Sequence, residues 1–516
     1  QNISGAIGQQ LIHGASHTIE GFQTSLVTPL GNDRLNIVND GTIRANVTGQ
    51  FLALEPRDTF VNTGTLSATN GGILHFVSGA FSGSGQFRIG DGSEFASNSA
   101  SFTNVSITAV DSDADDRNNI FRAINNGTVF SGVTLGDGIL TTTNNLPVTI
   151  AGELTNDGLI ELTGTISSSR LFVDHPTDES ITLGGSGTVR FTGGAQNITG
   201  PLGQMLVIGP DQTPEGFQTD VNASIGEAAL NIVNQGTIQA GSTGQFLSIE
   251  ARDTFVNEGT VAAVDGGILR FVDGAFSGNG SYLIDDDSEF ASVFADFKDV
   301  AFTATGGDGD DRNNIFRVVN NGTDLDGVTF GKGILATANS LPFNIRGDVT
   351  NDGVIELVGA GSGTRLFFDH PADRPITLGG AGIVRLTGES QNFTGAVDQR
   401  LIIGPLQVIE GFHTSAIVSV GQDALLIENQ GTIRANETGQ TLRVEPRDSL
   451  LKNDGLLLAT NGATLQIQDA DTMGVGTIRA DANSTVDIEG SVTSGGAVRG
   501  APDSNIVIDG DLTQVD

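Results

Sequence analysis

The chain of 516 residues has no cysteine, no tryptophan, a single tyrosine (Tyr282) and only two methionines. Without cysteine there is no disulfide framework and no thiolate zinc or iron–sulfur site, whatever compartment the chain occupies. Positive charge is scarce as well. The 25 Lys and Arg stand against 61 Asp and Glu, a formal charge of −36, and lysine occurs only at Lys298, Lys332 and Lys452. A surface this acidic repels phosphate backbones and anionic lipid, which excludes nucleic acid and polybasic membrane attachment as partners. No apolar run approaches the ~18 residues of a membrane-spanning helix. The chain also opens without the basic and apolar stretch of a secretory signal. It reads as a soluble mature chain or an excerpt of a longer one.

What is abundant is glycine, 72 residues, together with 28 phenylalanines in a chain that is 37% hydrophobic. That composition builds many turns, little helix and a large core. Internal repeats set the organisation. QNISGAIGQQL at Gln1 recurs as QNITGPLGQML at Gln196 and QNFTGAVDQRL at Gln391, a spacing of 195 residues both times. GFQT at Gly21 and Gly216 becomes GFHT at Gly411, EPRDTF at Glu55 becomes EARDTF at Glu250 and EPRDSL at Glu445, and DDRNNIFR at Asp115 returns at Asp310. The expected divisions are 1–195, 196–390 and a partial, diverged third unit, 391–516, whose final pieces read as terminal rungs.

A finer period runs inside the large one. Asn-x-Gly turns at Asn39 and Asn62, and at Asn234 and Asn257, lie 23 residues apart. Between such turns stand segments of about five residues rich in β-branched residues and Phe, such as GTIRA, DTFVN and GLIELTG, which read as strands. Sandwich arrays repeat at about 100 residues and have no reason to carry this subperiod. A parallel β-helix does, since one lap of three strands and three turns uses about that many residues. The expected fold is therefore all-β, a parallel β-helix with rungs of ~23 residues. At about 4.8 Å per rung, some 8 rungs per repeat would rise roughly 40 Å. Asparagine at the turns suits stacked amide ladders and the left-handed conformation. Phe51, Phe60, Phe76, Phe246, Phe255 and Phe271 are expected to stack in the interior.

The sharpest polar constellation is DSDADDRNN, Asp111 to Asn119, matched by GGDGDDRNN, Gly306 to Asn314. Alternate carboxylates on a small-residue loop can converge on a hard cation, so Asp113, Asp115, Asp116, Asp308, Asp310 and Asp311 are the candidate Ca²⁺ ligands. They do not form an EF-hand, because Arg122 stands where that motif needs a bidentate Glu. A weaker patch comprises Asp285, Asp286, Asp287 and Glu289, with Asp91 and Glu94 as its first-repeat counterpart. The Glu-x-Arg-Asp triplets at Glu55, Glu250 and Glu445 read as surface ion-pair clusters at strand ends, with an anionic sugar as the other reading. His175 and His370 recur in Asp-His-Pro contexts that read as turns, whereas His13, His17, His75 and His413 have no imidazole at the equivalent position in every copy, His17 corresponding to Gln212 and His75 to Arg270, so no zinc or base role is expected of them. There is no G-x-S-x-G, H-E-x-x-H or Walker A motif.

The patterns NxGTIxAxxxGxxLxI at Asn39 and Asn234 and NxGTLxAxxGGxLxF at Asn62 resemble the repeat strands of large bacterial surface proteins, namely autotransporter passengers and filamentous-haemagglutinin-like adhesins. The resemblance implies a right-handed parallel β-helix exported to the cell surface, with adhesive, biofilm or filament-forming work. The expected function is an extracellular structural or adhesive β-solenoid without a catalytic site. Its expected partners are itself, through head-to-tail stacking of terminal rungs, further repeats of the same polypeptide, or a surface glycan. The alternatives are a glycan-binding adhesin that does not polymerise, and a polysaccharide-cleaving β-helix enzyme or tailspike-like depolymerase. Parallel β-helices host such enzymes, but one Tyr and no Trp provide poorly for sugar stacking, and catalysis has no use for a surface repeated along the chain.

Overall fold

The computed structural model describes the chain apart from residues 1, 22–28, 111–116, 126, 145, 164–168, 176–178, 193–194, 218–222, 307–311, 321, 360–363, 371–373, 389–390, 412–417 and 516. Among the described residues the regular structure is β-strand, with one short 3₁₀ turn at Arg447–Ser449. Two compact units arise, Gln1–Val261 and Ala262–Asp516, and each is a parallel β-solenoid.

In the first unit a lap consists of three short strands, for example Thr59–Asn62, Thr65–Ala68 and Ile73–Val77. Each pairs in parallel with the strand one lap before it. Ile37 is opposite Phe60, Ile43 opposite Leu66 and Leu52 opposite Leu74. Three sheets result, and most strands turn one face to the interior and the other to solvent. Strand Thr42–Ala45 shows the consequence, with Ile43 and Ala45 fully buried and Thr42 and Arg44 partly exposed. This is the period-two pattern of a half-buried strand, and it is why the segments read as alternating in sequence. The second unit repeats the arrangement. Leu269 is opposite Phe290, Phe276 opposite Phe297 and Tyr282 opposite Phe302, and the stacking continues to Val486 opposite Ile506.

The interior is filled by like residues stacked on like. Phe60, Phe81 and Phe102 follow one another at ring separations of 5.3 and 5.5 Å in near-parallel stacks, and Phe76 meets Phe95 edge-on at 5.1 Å. The second unit has the same device in Phe276 and Phe297, 5.4 Å apart. Such separations are those at which aromatic pairs gain beyond area burial. Two expected interior rings are not there. Phe51 and Phe246 are the first residues of strands Phe51–Leu54 and Phe246–Ile249 and are only partly buried, while the second and fourth residues, Leu52 and Leu54 or Leu247 and Ile249, point inward. The alternation of the strand places these rings outside, since inward and outward positions differ by one residue.

Asparagine ladders occupy the corners. Asn39 donates its side-chain amide to Asn62 Oδ1 at 2.8 Å, Asn234 to Asn257 at 2.8 Å and Asn429 to Asn453 at 2.8 Å, all fully or almost fully buried. His13 caps the first ladder, with Nδ1 2.6 Å from Asn39 Oδ1, which as a carbonyl oxygen accepts. These asparagines are at strand ends and are not left-handed. The positive φ angles belong to other turn residues, among them Asn32, Asn70 and Asn461. The glycine two residues on is required by proximity: a Cβ at Gly64 would lie 2.1 Å from Gly41 O of the lap below.

One number refines the sequence expectation and has consequences. Between strand Gln9–His13 and its counterpart 195 residues on, Met205–Ile208, the first unit makes 25 sheet steps, counting the single bridged position at Leu30 as one. Three steps close a lap, so one repeat is eight laps and a third. Gln9–His13 accordingly pairs within one sheet, with Leu35–Asn39, while Met205–Ile208 belongs to the next sheet around, with Ile181–Gly184 and Asn231–Asn234. Equivalent surface residues of the first two repeats therefore face outward a third of a turn apart. Because the chain lacks cysteine, spin labels can be placed on Ile7→Cys and Leu202→Cys alone. A whole number of laps would hold them about 40 Å apart, the rise of eight rungs. The extra third of a lap adds the width of the coil, and pulsed electron paramagnetic resonance should read a mean on the order of 50 Å.

Candidate functional site

The Ca²⁺ candidates Asp113, Asp115, Asp116, Asp308, Asp310 and Asp311 lie outside the described residues. The second acidic patch is described. Glu289 takes two hydrogen bonds from Arg317, at 2.8 and 2.9 Å, and Asp285 accepts one from Thr305 at 3.2 Å. Its first-repeat counterpart Glu94 pairs with Arg122 at 3.0 Å. Among the described residues no group of three or more His, Asp or Glu is placed to hold a metal ion. The Glu-x-Arg-Asp triplets do form surface ion pairs: Arg57 with Asp58 at 3.6 Å, Arg252 with Asp253 at 3.5 Å, and Arg447 with Asp398 at 3.3 Å and Asp423 at 3.6 Å. His75 is packed between Ala53 and Ala96 of the neighbouring laps, and burial pushes its imidazole down to about 4. It is neutral at physiological pH.

The most organised polar feature was not anticipated from sequence. On the outer face, charges of alternating sign stack one per lap in a column. In the second unit the column runs Glu356, Arg385, Glu410, Arg434, each opposite the next in strand register. Glu410 is 1% exposed and sits between the two arginines. Arg385 donates to one carboxylate oxygen at 3.3 Å, and Arg434 lies 2.7 Å from the other, which Asn436 also contacts. In the first unit the equivalent column is Glu161, Arg190, Glu215, Gln239. There Arg190 and Gln239 both reach Glu215 at 3.3 Å, and Phe217 covers the Arg190 guanidinium at 4.4 Å. At the start of the first unit the same position holds Glu20 with Arg44.

A second charge cluster, absent from the other repeats, joins Glu428 to Lys452, opposite it in strand register, and to Arg400, which reaches it diagonally from two residues along the neighbouring strand. Burial disfavours the ionised Glu428, but hydrogen bonds from Arg400, Gln430 and Lys452 outweigh it and hold the carboxyl at about 2. What these columns do chemically is fix register. A strand that slipped along its neighbour by one residue would swap its inward and outward side chains and withdraw each carboxylate from its cations. In sequence the signal is a Glu and an Arg at the same strand position in segments 24 to 29 residues apart, as in IEGF and TIRA.

The chain is thus a β-solenoid repeat protein with buried amide ladders at its corners and ordered ion-pair columns on its outer face. It matches no protein family, no curated protein and no solved structure in comparison with each.

The lowered carboxyl makes stability pH-dependent with a definite sign. A group whose folded value is depressed contributes above its ordinary value and loses the contribution as pH falls through the folded one. Glu428→Gln should therefore cost about 1 kcal/mol at neutral pH, held to that by the half-exposed Arg400 and Lys452. The cost should fade between the ordinary carboxylate range and pH of about 2. Chemical denaturation of the variant beside the parent across this range measures it, and a difference that does not change with pH would contradict the assignment.

Proposed function

We propose that the chain is an extracellular structural and adhesive β-solenoid of a bacterial surface, working through its lateral face and without a catalytic centre. The observation that carries this reading is the repeated outer surface. The Glu20, Glu215 and Glu410 columns and the Arg57, Arg252 and Arg447 clusters return at the same spacing as the core strands do. A catalyst needs one constellation, whereas repeated contacts suit multivalent attachment. The −36 charge favours neutral or basic surfaces over polyanions as ligands. The absence of a thiol and the scarcity of lysine are compatible with an oxidising, protease-exposed environment. Attachment to a glycan or a cell surface and end-to-end assembly into filaments are both within this reading, since a parallel lap can accept another strand along its edge.

The test is binding of fluorescently labelled protein to bacterial biofilm and to epithelial cells. Saturable binding competed by unlabelled protein, with no new reducing ends released from alginate or polygalacturonate, is the expected result. Release of reducing ends would assign an enzyme instead. Non-saturable binding together with an absence of filaments in micrographs would overturn the structural and adhesive role.

A further inference from the structure

One apolar position is exposed in all three repeats. Ile7, Leu202 and Val397 stand at the same place in the repeat, in the turns Ala6-Ile7-Gly8, Pro201-Leu202-Gly203 and Ala396-Val397-Asp398, and are 62%, 74% and 65% exposed. The flanking residues differ between copies, yet the central one stays a branched aliphatic where solvation alone would favour a polar residue. Other exposed apolar side chains, such as Phe294, Leu406 and Met473, have no such recurrence, with Ser99, Asp211 and Ser277 as their counterparts one repeat away. Scattered single apolar residues need no explanation; a position filled the same way three times does.

The turn is held alike in each copy. Gly8 N donates to Arg34 O at 2.8 Å, Gly203 N to Ala229 O at 2.8 Å and Asp398 N to Ala424 O at 3.0 Å. One lap on, Asp33 N donates to Glu55 O, Ala228 N to Glu250 O and Asp423 N to Glu445 O, at 2.9 to 3.0 Å. The guanidinium of the Glu-x-Arg-Asp triplet lies against the turn. A Cβ on Gly8 would be 3.3 Å from Arg57 and one on Gly203 3.0 Å from Arg252, while Arg447 pairs with Asp398 itself. Each arginine is matched or outnumbered by carboxylates, Arg447 by Asp398, Asp423 and Asp448. The result is a rigidly mounted aliphatic knob with an acidic surround.

We propose that this knob is the repeat's contact with a partner protein, whose surface offers an apolar socket rimmed by basic groups. The acidic surround and the −36 charge of the whole chain select such a rim and disfavour a second copy of this chain, which would bring like charge against like. Ile7 and Leu202 point outward a third of a turn apart, so one flat partner cannot cover both. Each knob takes its own molecule. This assignment deepens the adhesive reading and rests on it only for the partner's location.

A short amphipathic Leu/Lys peptide is the probe, with a Ser/Lys peptide of equal length and charge as its control. Calorimetric titration near physiological ionic strength should show the leucine peptide binding about tenfold more tightly than the control. The combined variant Ile7→Ser, Leu202→Ser, Val397→Ser keeps every charge and should lose that preference while its melting curve stays unchanged. Leu202→Ser alone should lower the leucine-dependent stoichiometry by a third. A preference that survives in the combined variant overturns the proposal. Sedimentation that shows the parent self-associating and the combined variant not would make the socket a second copy of this chain, and would overturn it equally. Saturable cell binding that persists in the combined variant would leave the surface role standing and remove the knob from it, so the two readings fail separately.

Discussion

Everything in this molecule depends on each strand lying in parallel, residue for residue, on the strand of the lap below. The backbone hydrogen bonds of a parallel ladder are individually modest. Their power here comes from repetition, because the same register puts inward residues over inward residues through every lap of both units. A tube of this kind has a narrow interior, which accounts for a core of Leu, Ile, Val, Ala and Phe, with Tyr282 the one larger aromatic and tryptophan absent. Corners are narrower still. There Asn39 and Asn62 bond side chain to side chain, and Gly64 fits beneath a carbonyl where no Cβ could. Buried amides that satisfy one another rigidify a structure, while an unpaired one is costly. The ladders therefore add side-chain ties between laps to those of the strands.

The outer columns extend the same logic to charge. An acidic chain with few cations could repel itself apart, yet cations from adjacent laps flank buried carboxylates, as at Glu410 and Glu428. Pairs exposed on both sides contribute little. Glu410, enclosed by two guanidiniums, belongs to the other class, in which removing one partner strands the rest. The columns thus reinforce the register that the core establishes, and the excess of carboxylates over cations leaves the chain strongly negative.

Much of this fold was legible in the sequence because the physics that builds it is periodic. The 23-residue interval between Asn39 and Asn62 is one lap, and alternation in GTIRA is a half-buried strand. One reading failed for a reason of phase. Phe51 and Phe246 looked interior by residue type, but the inward set of their strands begins one residue later. The count of about eight rungs per repeat holds, and the structure refines it by a third of a lap. The site was less legible. The Asp115 and Asp310 loops drew attention through local charge density, whereas the Glu410 column joins residues 24 to 29 positions apart that become neighbours only after coiling. The knob was in view within IGQQL, LGQML and VDQRL, but exposure cannot be read from an aliphatic residue beside a turn.

The direct test of lap-on-lap stacking is a bridge that only this register permits. Thr182 and Val207 lie opposite one another on successive laps with both side chains outward, at a spacing within the reach of a disulfide. In this cysteine-free background, Thr182→Cys with Val207→Cys should oxidise completely to an intrachain bridge. Thr182→Cys with Leu206→Cys, one residue away and facing the core, should stay reduced. Equal oxidation of both pairs, or bridging of the second alone, would contradict the parallel in-register solenoid.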